Sequence, residues 1–193
     1  MPLLGFVPAP EVEEWVRRTF IDEAGPLHNP AHEHLQQAEL GFLWTDIGNS
    51  RGGRNIIGQC EIMPPMAMGK WQRARAEYQI EQWFGHVPDF VITLLAPWCD
   101  HADDAAFCAV VEHELYHAAQ DRDEYGQPKF GRDGSPKFAI RGHDVEEFVG
   151  VVERYGAVAT GVSEMVRVAN MGPSIGAAAV DMACGTCERR KRA

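Results

Sequence analysis

Apolar residues recur along this chain with two periods, and the changes of period divide it into helices and strands. At residues 11–20, Val12, Trp15, Val16 and Phe20 fall on one helical stripe with Arg17 and Arg18 outside it, and Gly25-Pro26 stops the element. Residues 70–84 repeat the helical pattern: Trp71, Ala74, Tyr78 and Trp83 alternate with Gln72, Arg73, Arg75, Glu77 and Glu81. The tryptophans are expected to anchor the core rather than to form a stacking platform for bases. Residues 40–45, 55–62 and 89–96 read as strands, the last being the most apolar and β-branched. The turn-rich connection 48–54 makes an antiparallel hairpin of the first two the simplest topology. Residues 28–34 are a histidine-rich turn leading into a short helix, 32–38, where His32 and His34 sit two apart. On a helix they face different sides, so they are expected at the surface and not as a ligand pair.

The later half is mostly helical, with one polar interruption. Residues 103–119 form a helix opened by Asp103 and Asp104, whose charges suit the positive helix end. Apolar Val110, Val111, Leu115, Ala118 and Ala119 allow it to be buried. Residues 120–140 are polar and rich in turns, a length usually functional or mobile, and are expected beside a cleft. Asp144 with Glu147 three residues on resembles a capping box, which predicts a helix with His143 at its mouth. Phe148, Val151 and Val152 would be its buried face and Gly156 its stop. Two further helical stretches, 157–170 and 175–182, are separated by Met171-Gly172-Pro173. The expected architecture is a single α+β domain, with a small, mainly antiparallel sheet packed on the 103–119 helix and a second helix closing beside it. Residues 1–156 would make the body, and 157–193 a helical extension ending in a basic tail.

The chemistry lies in the 103–119 helix, which contains His113-Glu114-Leu115-Tyr116-His117, an HExxH motif. Residues four apart share a helix face, so His113 and His117 can direct two imidazoles to one point. Two neutral imidazoles suit Zn²⁺, which takes nitrogen ligands at roughly 2.0–2.1 Å and keeps an open position in catalytic sites. Glu114 follows the first ligand, where a carboxylate can act as general base toward an activated water. These features make the domain zincin-like. A third ligand is sought downstream. His143, at the mouth of the next helix, is the leading candidate. Glu147, with Gly150 three residues later, is the alternative, and Glu146 a weaker one of the same kind.

Composition removes several classes. The chain has 193 residues, 45% of them hydrophobic, with a formal net charge of -10. That charge argues against a nucleic-acid binder with a basic surface. No run approaches the roughly 20 apolar residues of a membrane span, and the first residues lack the basic start of a signal peptide. Five cysteines, an odd number, do not suggest a disulfide framework, which makes a reducing cytoplasm the expected location. Cys184 and Cys187 form half of a zinc knuckle without a second pair, and read as ordinary thiols. The short basic end, residues 188–192, reads as a solvated tail rather than a nucleic-acid contact.

A strand, an HExxH helix, a loop, and then a histidine opening an aromatic-containing helix resemble the SprT-like zinc metallopeptidases, whose third ligand is a histidine shortly before Phe or Trp. The spacing differs, with His143 five residues before Phe148 rather than four, and a longer intervening loop. As a whole the sequence resembles the phage metallopeptidase family, in which HExxH is followed by an HDxEEF-type segment, here residues 143–148. The resemblance implies a zinc-dependent peptidase acting on proteins or peptides in the host cytoplasm, with His113, His117 and His143 on the metal and Glu114 as general base. Gluzincin-type enzymes instead draw their third ligand from a glutamate of the second helix, which keeps Glu147 open. Two other functions stay open as well: a metal-stabilised phage structural or regulatory protein without catalysis, and a DNA-associated protease of the SprT-like kind.

Overall fold

The computed structural model describes residues 5–65 and 69–183. Strand β1 (Phe6–Pro8) leads into helix α1 (Pro10–Val16). Pro10 suits the first helical position, where its missing N–H is no loss. The helix continues through one wider turn to Ile21, where the Asp22 N–H donates to the Arg17 carbonyl at 2.8 Å. A 3₁₀ segment (Pro30–Gln37) and strand β2 (Leu40–Thr45) follow. Then come a small hairpin, β3 (Asn49–Arg51) with β4 (Arg54–Ile56), strand β5 (Gly58–Ile62), helix α2 (Lys70–Phe84) and strand β6 (Phe90–Leu95). The short helix α3 (Ala96–Cys99) precedes α4 (Asp104–His117), which carries the HExxH motif. Strands β7 (Ala118–Gln120) and β8 (Phe138–Ile140), then helices α5 (Val149–Ala159), α6 (Ser163–Met171) and α7 (Ala177–Ala183), complete the α+β fold.

The main sheet runs β1-β2-β6-β5, with β2 and β6 parallel and the two outer pairings antiparallel. This differs from the expected hairpin of residues 40–45 with 55–62. Every residue of β2 is buried, on both faces, and such a strand is stable only in the middle of a sheet. Residues 49–56 are used in their own hairpin, so β5 begins at Gly58 and joins on the far side of β6. Consequently β6 is paired along both edges, and the free edge beside α4 belongs to β5.

Phe42, Trp44, Phe90, Ile92 and Leu94 meet α1 and α4 on one face of the sheet, with Phe107, Val111 and Leu115 supplied by α4. Burying each such side chain stabilises by about 1.5–3 kcal/mol. On the other face a smaller cluster joins Leu43 and Val91 to Ile80 of α2, with Trp83 and Phe84 packed alongside. Only the C-terminal half of α2 reaches this cluster. Trp71, expected in the core, is therefore 85% exposed. His32, expected at the surface, is fully buried. Helix α7 closes over α1, where the Trp15 indole donates to the Ala183 carbonyl at 2.7 Å.

The helix expected from Asp144 begins only at Val149, and no capping box forms. Residues 141–148 form neither helix nor strand; the β7–β8 ladder is carried one residue further, with the Arg141 N–H donating to the His117 carbonyl at 3.0 Å. Phe148 is 79% exposed and α5 buries none of its residues, so the expected buried face does not form. Gly156 takes a left-handed φ of 79°, and kinks the helix instead of ending it. Cys60, Cys99 and Cys108 are not joined in disulfides. Among the described residues no helix is long and apolar enough to cross a membrane. Cys184, Cys187 and the basic end lie outside the described residues.

Candidate metal centre

Helix α4 presents two kinds of face. Phe107, Val111, Leu115 and the following Ala118 point into the core, and Asp103 caps the N-terminus by accepting from the Ala106 N–H at 2.7 Å. His113 and His117 lie off that stripe, one turn apart, near the C-terminal end. The chain leaves His117 directly into β7, makes its polar excursion, and returns through β8. Ala118 pairs with Ile140 in this small ladder, so residue 143 is delivered back to the end of α4. The excursion is ordered by its own bonds: the Asp121 N–H donates to Lys137, and the Lys129 N–H to Asp121.

His113, His117 and His143 converge, with their donor atoms all within 4.8 Å of one another. His113 Nε2 is 3.2 Å from His117 Nε2 and 3.2 Å from His143 Nε2. Ligands roughly 2.05 Å from a tetrahedral ion stand about 3.3 Å apart, so both separations are those of neighbouring corners of one coordination sphere. Two of the outer nitrogens are occupied. His117 Nδ1 is 2.6 Å from the Arg141 carbonyl, which can only accept. Its proton is therefore on Nδ1, and Nε2 turns a lone pair toward the other rings. His143 Nδ1 faces the Glu146 carboxylate at 3.4 Å. Burial, then the charges of His117 and His143, hold the pKa of His113 below its ordinary value, which favours the neutral imidazole a metal needs. The donor set fits a divalent ion with an affinity for nitrogen. Glu147 is outside the converging group; its carboxylate accepts from the Phe148 N–H at 2.7 Å. Glu146 lies behind His143, in the position of an outer partner.

Glu114 takes a different direction. It falls on the buried stripe and is 4% exposed, the one buried carboxylate among the described residues. Its carboxyl lies against β5, accepting from the Cys60 N–H, and burial pushes its pKa up to about 7. The space it fills exists because residue 58 is glycine: a Cβ there would stand 2.6 Å from Glu114 Oε1. The sequence reading did not find this pairing of β5 with Glu114. It also missed a brace on the outer side of α4. The Asn29 amide donates to Glu112 at 2.7 Å and to the Tyr116 hydroxyl at 2.9 Å, and His34 Nε2 lies 2.8 Å from the Ala118 carbonyl. The histidine-rich turn therefore holds the last turn of the helix, and Glu112 with Tyr116, four apart and polar on a buried helix, was its only signal in the sequence.

A cleft of about 500 Å³ opens at the three histidines, bordered by Tyr116, Arg141, Asp144 and Met165. An α+β fold whose central helix carries two of three imidazoles that converge in an open cleft places this chain among proteins with a histidine-built site able to hold a metal ion. Residues 13–170 match the family described as putative phage metallopeptidase, and the chain belongs to that family. No curated protein and no solved structure matches the chain.

Proposed function

We propose that this protein is a zinc-dependent peptidase of the HExxH type, cleaving protein or peptide substrates. The observation that carries the reading is the spacing of the Nε2 atoms of His113, His117 and His143, with 3.2 Å along two sides of the triangle. Three imidazoles with an open fourth side suit catalytic zinc better than a closed structural site, which takes four protein ligands. When bound there, the ion supplies Lewis-acid chemistry, polarising a carbonyl and making water more acidic. The side chains do the rest. His117 is fixed in its tautomer by the Arg141 carbonyl, and His143 is oriented by Glu146. Glu114, with its pKa near 7, is matched to accept a proton from the attacking water and return it to the leaving amine. An extended substrate would pair with the outer edge of β5 beyond Cys60, whose N–H is already taken by Glu114.

Glu114→Gln tests the reading. The variant should keep zinc and melt no lower than wild type while losing hydrolysis of unfolded protein substrates by roughly three orders of magnitude or more. A zinc-loaded wild type that cleaves nothing across a broad substrate panel would instead make the metal a structural element.

A further inference from the structure

A second cavity, of about 560 Å³, adjoins the metal cleft, and Tyr116 and Arg141 line both. Its remaining polar walls come from the histidine-rich turn and the start of the polar excursion: His32, His34, Asp121 and Arg122. The charges do not balance. Asp121 is matched by Lys129 at 3.0 Å, and Arg141 by Asp144 at 2.5 Å. Arg122 forms no ion pair among the described residues; its Nη1 donates to the Gly126 carbonyl at 2.7 Å, which leaves its charge uncompensated. His32 is fully buried, and neither of its ring nitrogens has a hydrogen-bond partner. Glu112 Oε1 lies 3.6 Å from Nε2, within ion-pair distance when the ring is protonated, and Nδ1 is left without a partner. Buried polar atoms are rarely left so, and an unpartnered one marks a place where a bound group belongs. The Tyr116 ring forms the common wall, with His32 edge-on at 4.7 Å and the Arg141 guanidinium 5.7 Å from its centre.

In a chain of net charge -10, a pocket with an arginine that forms no ion pair and a second arginine at its rim is complementary to an anion. Tyr116 and Arg141 border both cavities, so an occupant of this one lies beside whatever is held at the histidines. We propose that this cavity is a substrate subsite for a carboxylate, filled either by an acidic side chain or by the C-terminal carboxylate of the peptide being cleaved. The proposal rests on the peptidase reading, and deepens it by assigning specificity: Arg122 reads the charge, while Tyr116 and Arg141 join the subsite to the cleft.

The test measures binding without turnover. Zinc-loaded Glu114→Gln protein is titrated calorimetrically with acetylated, amidated hexapeptides in which one Glu is moved along the sequence, each against its Gln counterpart. A further arm compares free and amidated C-termini of the same peptides. In one register, or at the free C-terminus, the carboxylate should bind about tenfold more tightly than its neutral counterpart, as a charge-assisted contact predicts. Adding Arg122→Gln should reduce that difference to within about twofold, and Arg122→Lys should keep a large part of it. Equal binding of charged and neutral peptides in every register, or no binding of either, overturns the subsite. Cleavage is then measured separately on wild type. Charge-selective binding without any cleavage would sink the peptidase reading and leave the subsite standing, whereas cleavage without charge preference would do the opposite.

Discussion

Glu114 and Gly58 share one space: the Glu114 carboxyl stands where a side chain on residue 58 would begin, with Oε1 2.6 Å from an ideal Cβ. The contact ties the proposed general base to the free edge strand. Gly58→Ala must therefore displace the carboxyl, because the end of a side chain yields more easily than a strand paired to β6. The expected result is a loss of about tenfold to a hundredfold in kcat/KM, since small misplacements of a catalytic group have effects of that order. Zinc content, measured on the same samples, should not change. Wild-type activity in a fully folded Gly58→Ala protein would separate Glu114 from the chemistry.

The third ligand is tested by comparing two alanine variants. His143 Nε2 belongs to the converging group and the Glu147 carboxylate does not. His143→Ala should weaken zinc binding by more than about a hundredfold, exceeding the 10–100-fold typical of outer partners. Glu147→Ala should stay within about threefold of wild type on the same scale. Competition with a chromophoric chelator reads both, and the reverse ranking would transfer the role to Glu147.

Acidity should change the stability of the metal-free protein through Glu114. Burial raises its pKa from 4.5 to about 7, so the native state favours the protonated carboxyl. That contribution is fully present below pH 4.5 and is lost as pH rises through about 7. His113 acts in the opposite sense: its lowered pKa contributes stability above the ordinary 6.5, which is lost as pH falls through the lowered value. Glu114→Gln isolates the first effect, because glutamine does not ionise. A shift of this size corresponds to an upper value of about 3 kcal/mol. In excess chelator, the variant should gain roughly 5–10 °C in melting temperature over wild type between pH 5 and pH 8. Parallel melting curves across that range would contradict it.

Periodicity and punctuation carried much of the fold. The largely apolar 40–45 and 89–96 runs contain β2 and β6, residues 70–84 are α2, and Asp103 caps α4 as its position suggested. The pairing of His113 with His117 needed nothing beyond helix geometry, because a separation of four residues is set by the backbone itself. His143 was the leading candidate from its place near a predicted helix start, yet the structure brings it to the cluster along a segment that is neither helix nor strand.

The sequence by itself determined which histidines share a face of α4 and which segments become β2 and β6, since both follow from local spacing and from apolar character. Tertiary structure decided the rest. Only the closing of the β7–β8 ladder places His143 beside His113, thirty residues away, because that encounter depends on strand register and not on any local signal. Only the insertion of a separate hairpin puts β5, rather than β6, at the sheet edge, and with it Gly58 against Glu114. The buried state of His32 and the uncompensated charge of Arg122 are likewise properties of packing. Burial and pairing arise from what surrounds a side chain, and the neighbours here come from distant parts of the chain.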